Sequence, residues 1–453
     1  MRSGIIVQVT FLIASLAMRV ISMPTANLSY WVLAGYALLG RSYAIQALAL
    51  SWLFTMLNPG IGPEGPLSAM GRYGVMAAAA ASVWWRSWGA RKGPTFEISR
   101  LVLVTLLLGA GFVLHTLLVS PIRDVSLLKA VSWTVTFATL LSAWSGLTPA
   151  ARQRLEYQLF VGLTVLMLAS LPLLGTDLGF RVNGTGFQGL LNHPQAFGPV
   201  MALLAAWLGS RILAEWRPPW YLVGLFGLAL VLVVMSEART AGLGLVLGLG
   251  MAMVIGRRLA RRRWRDFLPG LRSTRVRVIL ALALVGAVAS GPFLAGYIET
   301  YLTKRTDNVA LGDMYEASRG ALIDRMLENV RDHPWTGIGF GIASYPEDMD
   351  VARDPVLGLP TGAAVEKGVV FLAVLEELGV FGLLAVLAWL WILVRRAARN
   401  AGMTALAVCL TALFMNFGES VLFSPGGLGM LSLILIAWTA TGHGVPTVGN
   451  ARA

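Results

Sequence analysis

The stretch "SEARTAGLG" (236–244) puts Glu237 and Arg239 between two almost wholly apolar runs, "YLVGLFGLALVLVVM" and "LVLGLGMAMVIG". A guanidinium stays charged at any working pH, and its planar fork matches phosphate oxygens bidentately. A cation opening a helix is opposed by the helix dipole, so Arg239 needs a reason to be there. Either it binds an anionic group or it snorkels to lipid phosphate. A second arginine, Arg319, sits in "DMYEASRGALIDRMLENVRD" (313–332), which reads as an amphipathic helix. Asp313 caps it with Glu316 as a loose capping box, and Pro334 ends it. At 100° per residue Leu322, Ile323, Met326, Leu327 and Val330 form one stripe. Arg319 falls in the middle of that stripe, whereas Arg325 and Arg331 fall on the polar side. The alternative for Arg319 is a packed stem with a snorkelling head. Glu376 and Glu377 lie inside an apolar run, where a carboxylate marks a functional site or a paired structural group. Asn416 and Glu419 close another apolar run and are candidates for the same cavity. His115, alone in an apolar run, suits either plain packing or a bond to a backbone carbonyl. "HPWTGIGFG" (333–341) carries three glycines at alternating positions; it reads as a tight, close-packed turn with a structural His333. It lacks the G-x-x-x-x-G-K pattern of a phosphate loop.

The elements that hold these residues are apolar. The 453-residue chain is 56% hydrophobic and 13% charged, with mean hydropathy +0.70. Soluble domains carry about 25% charge, so this is an integral membrane protein. Its net charge of +13 is no sign of nucleic-acid binding, because basic residues of membrane proteins gather in cytoplasmic loops. The single Cys409 excludes a disulfide framework. The N-terminal apolar run is read as a first span, not a cleaved signal peptide, since no clear cleavage site follows it.

Spans of about 20 residues are expected near 5–22, 25–40, 43–57, 70–86, 100–120, 127–146, 157–175, 195–214, 219–236, 239–256, 278–297, 368–394, 402–418 and 428–442. That is fourteen, with 12 to 14 as the range. "GRRLARRRWRDFLPGLRSTRVR" (256–277) holds nine arginines and one acid, which sets it in the cytoplasm by the positive-inside rule. Counting spans from it puts the basic stretches "SWGARKGPTFEISR", "TPAARQRLEYQ" and "RRAARN" on the same side, with both termini. The opposite side receives 58–69, 121–126, 176–194, the 236–240 junction and the long segment 298–367, which has twelve acids against seven Lys or Arg. The expected organisation is helices with short loops over 1–297, one long external loop over 298–367, and C-terminal spans over 368–453.

Four motifs then occur in order: "GFQGLLNHPQAFG" (186–198), "SEARTAGLG", "EASRGALIDRMLENVRDHPWTGIGFG" and "EKGVVFLAVLEELGVFG" (366–382). Together, over roughly 180–420, they resemble the O-antigen ligase and Wzy-type polymerase superfamily of bacterial glycan assembly. The resemblance implies an all-α, polytopic, GT-C-like fold in the bacterial inner membrane, with a periplasmic loop bearing the amphipathic helix. It implies transfer of a glycan from undecaprenyl pyrophosphate to a hydroxyl on lipid A core or on a second lipid-linked glycan, without metal, nucleotide or other cofactor. Arg239 and Arg319 match the family arginines that hold the pyrophosphate, where they would stabilise the departing anion. The sequence departs from the family at one point. Many ligases carry a His-Asn pair shortly before the Glu-x-Gly of the next span. Here Glu377 and Gly379 align, but Gly368 stands where the histidine would be. Glu366 is the candidate general base, with His193 behind it. Lys367 is a candidate third phosphate contact, and Arg181 lies near the earlier motif but out of register. Glu377, Asn192 and Glu419 are candidates for lining the cavity.

The rival reading is a polytopic transporter or flippase, which would spread charges through several spans and break helices at mid-membrane. The marked charges cluster at one face, which favours an enzyme. A third reading, a non-catalytic assembly partner, expects Arg239 and Arg319 to be replaceable without loss.

Overall fold

A computed structural model describes residues 2–63, 65, 67–89, 99–261, 263–289, 320–353, 358, 360–363, 367–400, 402–418 and 420–442. It is a helical bundle: α1 (Arg2–Ile21), α2 (Met23–Ala37), α3 (Arg41–Met56), α4 (Ser68–Gly89), α5 (Arg100–Val119), α6 (Arg123–Ser145), α7 (Pro149–Ser170), α8 (Pro194–Ala214), α9 (Trp220–Met235), α10 (Arg239–Ala260), the single turn α11 (Trp264–Phe267), α12 (Thr274–Ala289), α13 (Ala321–Asp332), α14 (Val370–Asn400), α15 (Gly402–Phe414) and α16 (Gly427–Ala440). Each of the fourteen expected spans falls on one of these helices. Among the described residues six are long and apolar enough to cross a membrane: α5, α6, α7 with the turn after it, α8, α10 and α14. The expected 12–14 is therefore met by six on length and composition. Length accounts for α2, α3 and α9, which have 15 or 16 residues, short of the roughly 20 that cross 30 Å of hydrocarbon, whereas the 22-residue α4 falls short on composition.

α8 is buried along nearly its whole length and forms the centre of the bundle. α10 packs on α15 through residues spaced four apart. Gly244, Gly248, Ala252 and Gly256 are all buried. Gly244 faces Met415, Gly248 faces Thr411, and Gly256 faces Phe267 and Leu406. Small residues at every fourth position let two helix backbones approach closely where lipid supplies no hydrophobic drive.

Arginines tie the helix ends together. Arg152 of α7 donates to the Thr441 carbonyl (3.2 Å) and hydroxyl (2.9 Å), and to the Trp438 carbonyl, at the C-terminal end of α16. Arg41 donates to the Gly146 carbonyl at the end of α6 (3.0 Å). At the opposite end the buried Arg19 donates to the Phe54 carbonyl (3.1 and 2.9 Å) and to that of Pro63. In each case a guanidinium satisfies carbonyls that the helix or loop leaves open.

Two expectations need correction. The all-α reading misses a small hairpin, β1 (Val351–Arg353) with β2 (Pro360–Ala363), antiparallel with Val351 opposite Ala363. Arg353 clips it to Asp124 of α6 at 2.7 Å. The amphipathic helix is described from Ala321 to Asp332; residues 313–319, with Asp313, Glu316 and Arg319, lie outside the described residues. Its buried face is not the purely apolar stripe. Met326 and Asn329 are buried, while Leu327 is 39% exposed. The helix packs onto a carboxylate, so an amide faces inward and the stripe is rotated.

Candidate functional site

A cavity of about 540 Å³ opens at one end of the bundle. Its walls come from the end of α3, the starts of α4, α6, α8 and α16, the "GIGFG" turn and β2. The polar groups on it are Arg72 and Tyr73 of α4, Lys129 and Ser132 of α6, Asn192, His193 and Gln195 at the start of α8, and Ser420 and Ser424. Among the described residues no carboxylate lines it. A second, apolar space of about 650 Å³ runs between α4 and α6 and shares Tyr73, Leu128 and Ser132 with the first. Met70, Met76, Leu127, Val131 and Val135 line this groove.

His193 is the N-cap of α8, in extended backbone, with its Nδ1 accepting from the Gln195 N–H at 3.0 Å. A neutral imidazole that accepts at Nδ1 carries its proton on Nε2. His193 thus offers a donor at Nε2. Asn192 has its Oδ1 buried without a hydrogen-bond partner. The 420–428 wall is shaped by the buried Asn416. Its Oδ1 accepts from the Val421 and Leu422 N–H groups (2.9 and 2.8 Å), and its Nδ2 donates to the Ala412 carbonyl.

The "GIGFG" wall is held by α14. The Ile338 and Gly339 N–H groups donate to the carbonyls of Glu376 and Glu377 (2.9 and 3.1 Å), and the Val380 N–H to the Pro334 carbonyl (2.9 Å). α14 is broken at Gly379 (φ 67°, ψ −173°). Breaking a helix frees backbone groups, and the inserted turn satisfies them. Gly337, Gly339 and Gly341 all have positive φ, so the expected tight turn is present. Phe340 is fully buried and stacks on Phe112 with ring centres 4.5 Å apart. His115 Nε2 donates to the Thr336 carbonyl at 2.6 Å, one of the two roles expected for it.

Beneath this turn lies a charge cluster. Lys367 Nζ is 2.8 Å from Glu376 Oε2 and 3.2 Å from Glu377 Oε1, with all three side chains buried. Glu376 also accepts from Asn329 Nδ2 (2.7 Å) and Ser344 Oγ (3.2 Å). Glu377 Oε2 accepts the N–H of Gly341 at 2.6 Å. Lys129 lies within electrostatic reach of Glu377. Two lysines and two glutamates sum to zero, the condition under which buried charge is tolerated.

The predicted residues are thus only partly brought together. His193 and Asn192 line the cavity. Glu377 stands behind it and fixes Gly341, which does line it. Lys367 is buried against both glutamates. Arg239 is half-buried in the first turn of α10, where its neighbour Thr240 packs on Gly418, two residues before the wall residue Ser420. Glu237 beside it has φ 53° and accepts from Thr185 Oγ1 at 3.2 Å. Arg181 is exposed near Gly60, away from the wall. Arg319, Glu366 and Glu419 lie outside the described residues. Arg72 and Lys129 escaped the sequence reading, although Lys129 stands inside an apolar run, a signal of the kind that flagged Glu377. Among the described residues no group of three or more His, Cys, Asp or Glu side chains is arranged to hold a metal.

No curated protein matches the chain. Residues 224–387 match the family model of O-antigen ligase, Wzy_C. The matched segment runs from α9 through the first half of α14 and contains Arg239, the "GIGFG" turn and the Lys367–Glu376–Glu377 cluster. With its long apolar helices it makes the chain a multi-pass membrane protein of the ligase and polymerase kind. Over residues 224–387 the chain is thus similar to the O-antigen ligase family, the segment that carries its resemblance to the O-antigen ligase and Wzy-type polymerase superfamily.

Proposed function

We propose that the protein transfers a glycan from undecaprenyl pyrophosphate to a hydroxyl acceptor at the periplasmic face of the bacterial inner membrane. The acceptor is lipid A core (ligase) or a second lipid-linked glycan (polymerase). The observation that carries this reading is the polar, cation-bearing cavity continuous with an apolar groove, walled in part by the O-antigen ligase segment. A substrate with a sugar-phosphate head and a lipid tail needs both surfaces side by side. In this reading the bundle is GT-C-like, both termini are cytoplasmic, and the chemistry uses no metal or nucleotide.

The acceptor oxygen attacks the anomeric carbon, the bond from that carbon to the pyrophosphate oxygen breaks, and the hydroxyl proton passes to a base. Glu366 is the proposed base. His193, protonated at Nε2, donates to a substrate oxygen. Arg239 and Arg319 stabilise the departing pyrophosphate, whose charge grows as the bond breaks. Lys367 holds Glu376 and Glu377 in place behind the cavity wall, and Arg181 stands further out as an additional cation. Asn192, Glu377 and Glu419 shape the acceptor's surroundings.

A deletion strain complemented with variants tests the reading by surface-glycan length. Arg239→Ala and Arg319→Ala each abolish transfer while the protein still inserts. Arg325→Ala stays within about twofold of wild type, because its partner Glu328 and the Tyr345 ring under it lie at an exposed surface where ion pairs contribute little. Single repeat units left on lipid A core identify a polymerase; lipid-linked polymer accumulating inside identifies a ligase. A full-length ladder from both arginine variants refutes the proposal, and equal loss in all three refutes the helix-face argument for Arg319.

A further inference from the structure

Arg72 and Lys129 are the two cations on the cavity wall, and both lie outside the matched segment. Arg72 Nε is buried and has no hydrogen-bond partner. Among the described residues no carboxylate pairs with it. Its guanidinium is confined by the 424–427 loop, where a side chain at Gly426 would meet Nη1 at 2.9 Å. Lys129 Nζ stands over the Phe340 ring at 5.5 Å. A methyl group at Gly341 would meet Nζ at 3.2 Å, so that wall also keeps the ammonium in place. A buried donor without a partner is expensive, and the guanidinium of Arg72, confined at a cavity wall where no described carboxylate lies, with Lys129 beside it, calls for an anion. The first turn of α8, a helix of 21 residues, opens on the same wall and adds the positive end of its dipole. Asn192 Oδ1, an acceptor without a partner, suits a sugar hydroxyl. The apolar groove between α4 and α6 begins at Tyr73, Leu128 and Ser132, directly beside both cations. Val131 and Val135 on its wall are 46% and 40% exposed, as side chains that meet lipid are. Asp124 at the groove is engaged by Arg353.

We propose that Arg72 and Lys129 form a phosphate clamp for the head of a polyprenyl-phosphate-linked glycan, whose lipid chain leaves the cavity along the α4/α6 groove. This rests on the transfer reading above and adds to it two phosphate ligands from the N-terminal half of the chain. Lys129 has Glu377 within electrostatic reach behind it. Arg72 brings the charge that nothing described in the protein balances. The head belongs either to the donor or to a lipid-linked acceptor, which share this chemistry.

The probe is farnesyl pyrophosphate, a short polyprenyl pyrophosphate, binding to the full chain in lipid nanodiscs. Wild type binds it. Arg72→Gln and Lys129→Gln each weaken binding about 10-fold or more, as loss of a charge-assisted bond implies. Arg72→Lys recovers only part, because an ammonium lacks the bidentate fork. Thermal unfolding of each variant at the wild-type temperature shows that the fold is kept. Inorganic pyrophosphate competes weakly and farnesol hardly at all, since each offers half of the recognised group. Displacement of the probe by the sugar-bearing donor assigns the clamp to the donor; displacement by the acceptor alone assigns it to the acceptor. Equal affinity of wild type and both glutamine variants overturns the clamp and leaves the transfer reading standing. Arg72-dependent binding in a protein whose Arg239→Ala and Arg319→Ala variants still build a full glycan ladder keeps the clamp and overturns the transfer reading.

Discussion

Gly379→Ala is expected to abolish glycan transfer while leaving the protein inserted and helical. Gly379 has φ 67° and ψ −173°, a region that is essentially open only to glycine and costs another residue about 1–3 kcal/mol. An added methyl group would also overlap the carbonyl of Trp335 and crowd the Thr336 nitrogen. That backbone cannot retreat easily. Val380 N–H is bonded to the Pro334 carbonyl, and the Ile338 and Gly339 N–H groups are bonded to α14 carbonyls. On the far side Phe340 is stacked against Phe112. The strain is therefore released by expelling the 334–341 turn from the break in α14, which removes Gly341 from the cavity wall. Hydrogen exchange followed by mass spectrometry should show protection lost over 334–341 and kept in α8 and α10. Gly227→Ala in α9 is the control, because nothing lies within 4 Å of an added methyl group there. Wild-type exchange and activity in the Gly379 variant would mean that the turn is not held by the helix break.

That break illustrates what the sequence makes legible. The helices were readable because lipid imposes one rule, about 20 apolar residues per crossing, and every expected segment coincides with a helix. The packing between helices was harder. "AGLGLVLGLG" shows its every-fourth-residue spacing openly, yet glycine in an apolar run carries no sign of which partner it faces; only the fold reveals Met415 and Thr411 against it. The short hairpin at 351–363 has no alternating pattern and escaped notice.

The candidate site was readable where a residue type is anomalous in its surroundings. Glu376 and Glu377 stand out in an apolar run, and the bland alternative, a paired structural carboxylate, accounts for their contacts: each oxygen has a donor or an ammonium beside it. His193 and Asn192 were selected through the "NHPQ" turn and do reach the cavity. Arg72 belongs to none of the sequence motifs. Its significance depends on Gly426 and the α4/α6 groove, which sequence spacing does not bring near it.

Lys367→Met is expected to destabilise the protein by about 3–5 kcal/mol, the usual penalty for removing one partner of a buried ion pair. Among the described residues Lys367 is the cation within 4 Å of Glu376 Oε2 and Glu377 Oε1, and methionine keeps its length while deleting its charge. The cluster then holds two carboxylates against Lys129 alone. The second substitution Glu377→Gln should recover at least half of the loss. It restores a zero sum, Lys129 against Glu376, and the amide oxygen can still accept the Gly341 N–H that Glu377 Oε2 accepts now. Glu376→Gln in place of Glu377→Gln should recover less. Glu376 accepts from both Asn329 Nδ2 and Ser344 Oγ, and an amide NH₂ facing either would set donor against donor. Thermal unfolding of the detergent-solubilised wild type and variants, with Glu377→Gln alone included, measures each stability, and the coupling between positions 367 and 377 follows from the double-mutant cycle. Additive losses at the two positions would show that the carboxylates do not depend on Lys367, and that α13 is held to α14 by Met326 and backbone contacts instead.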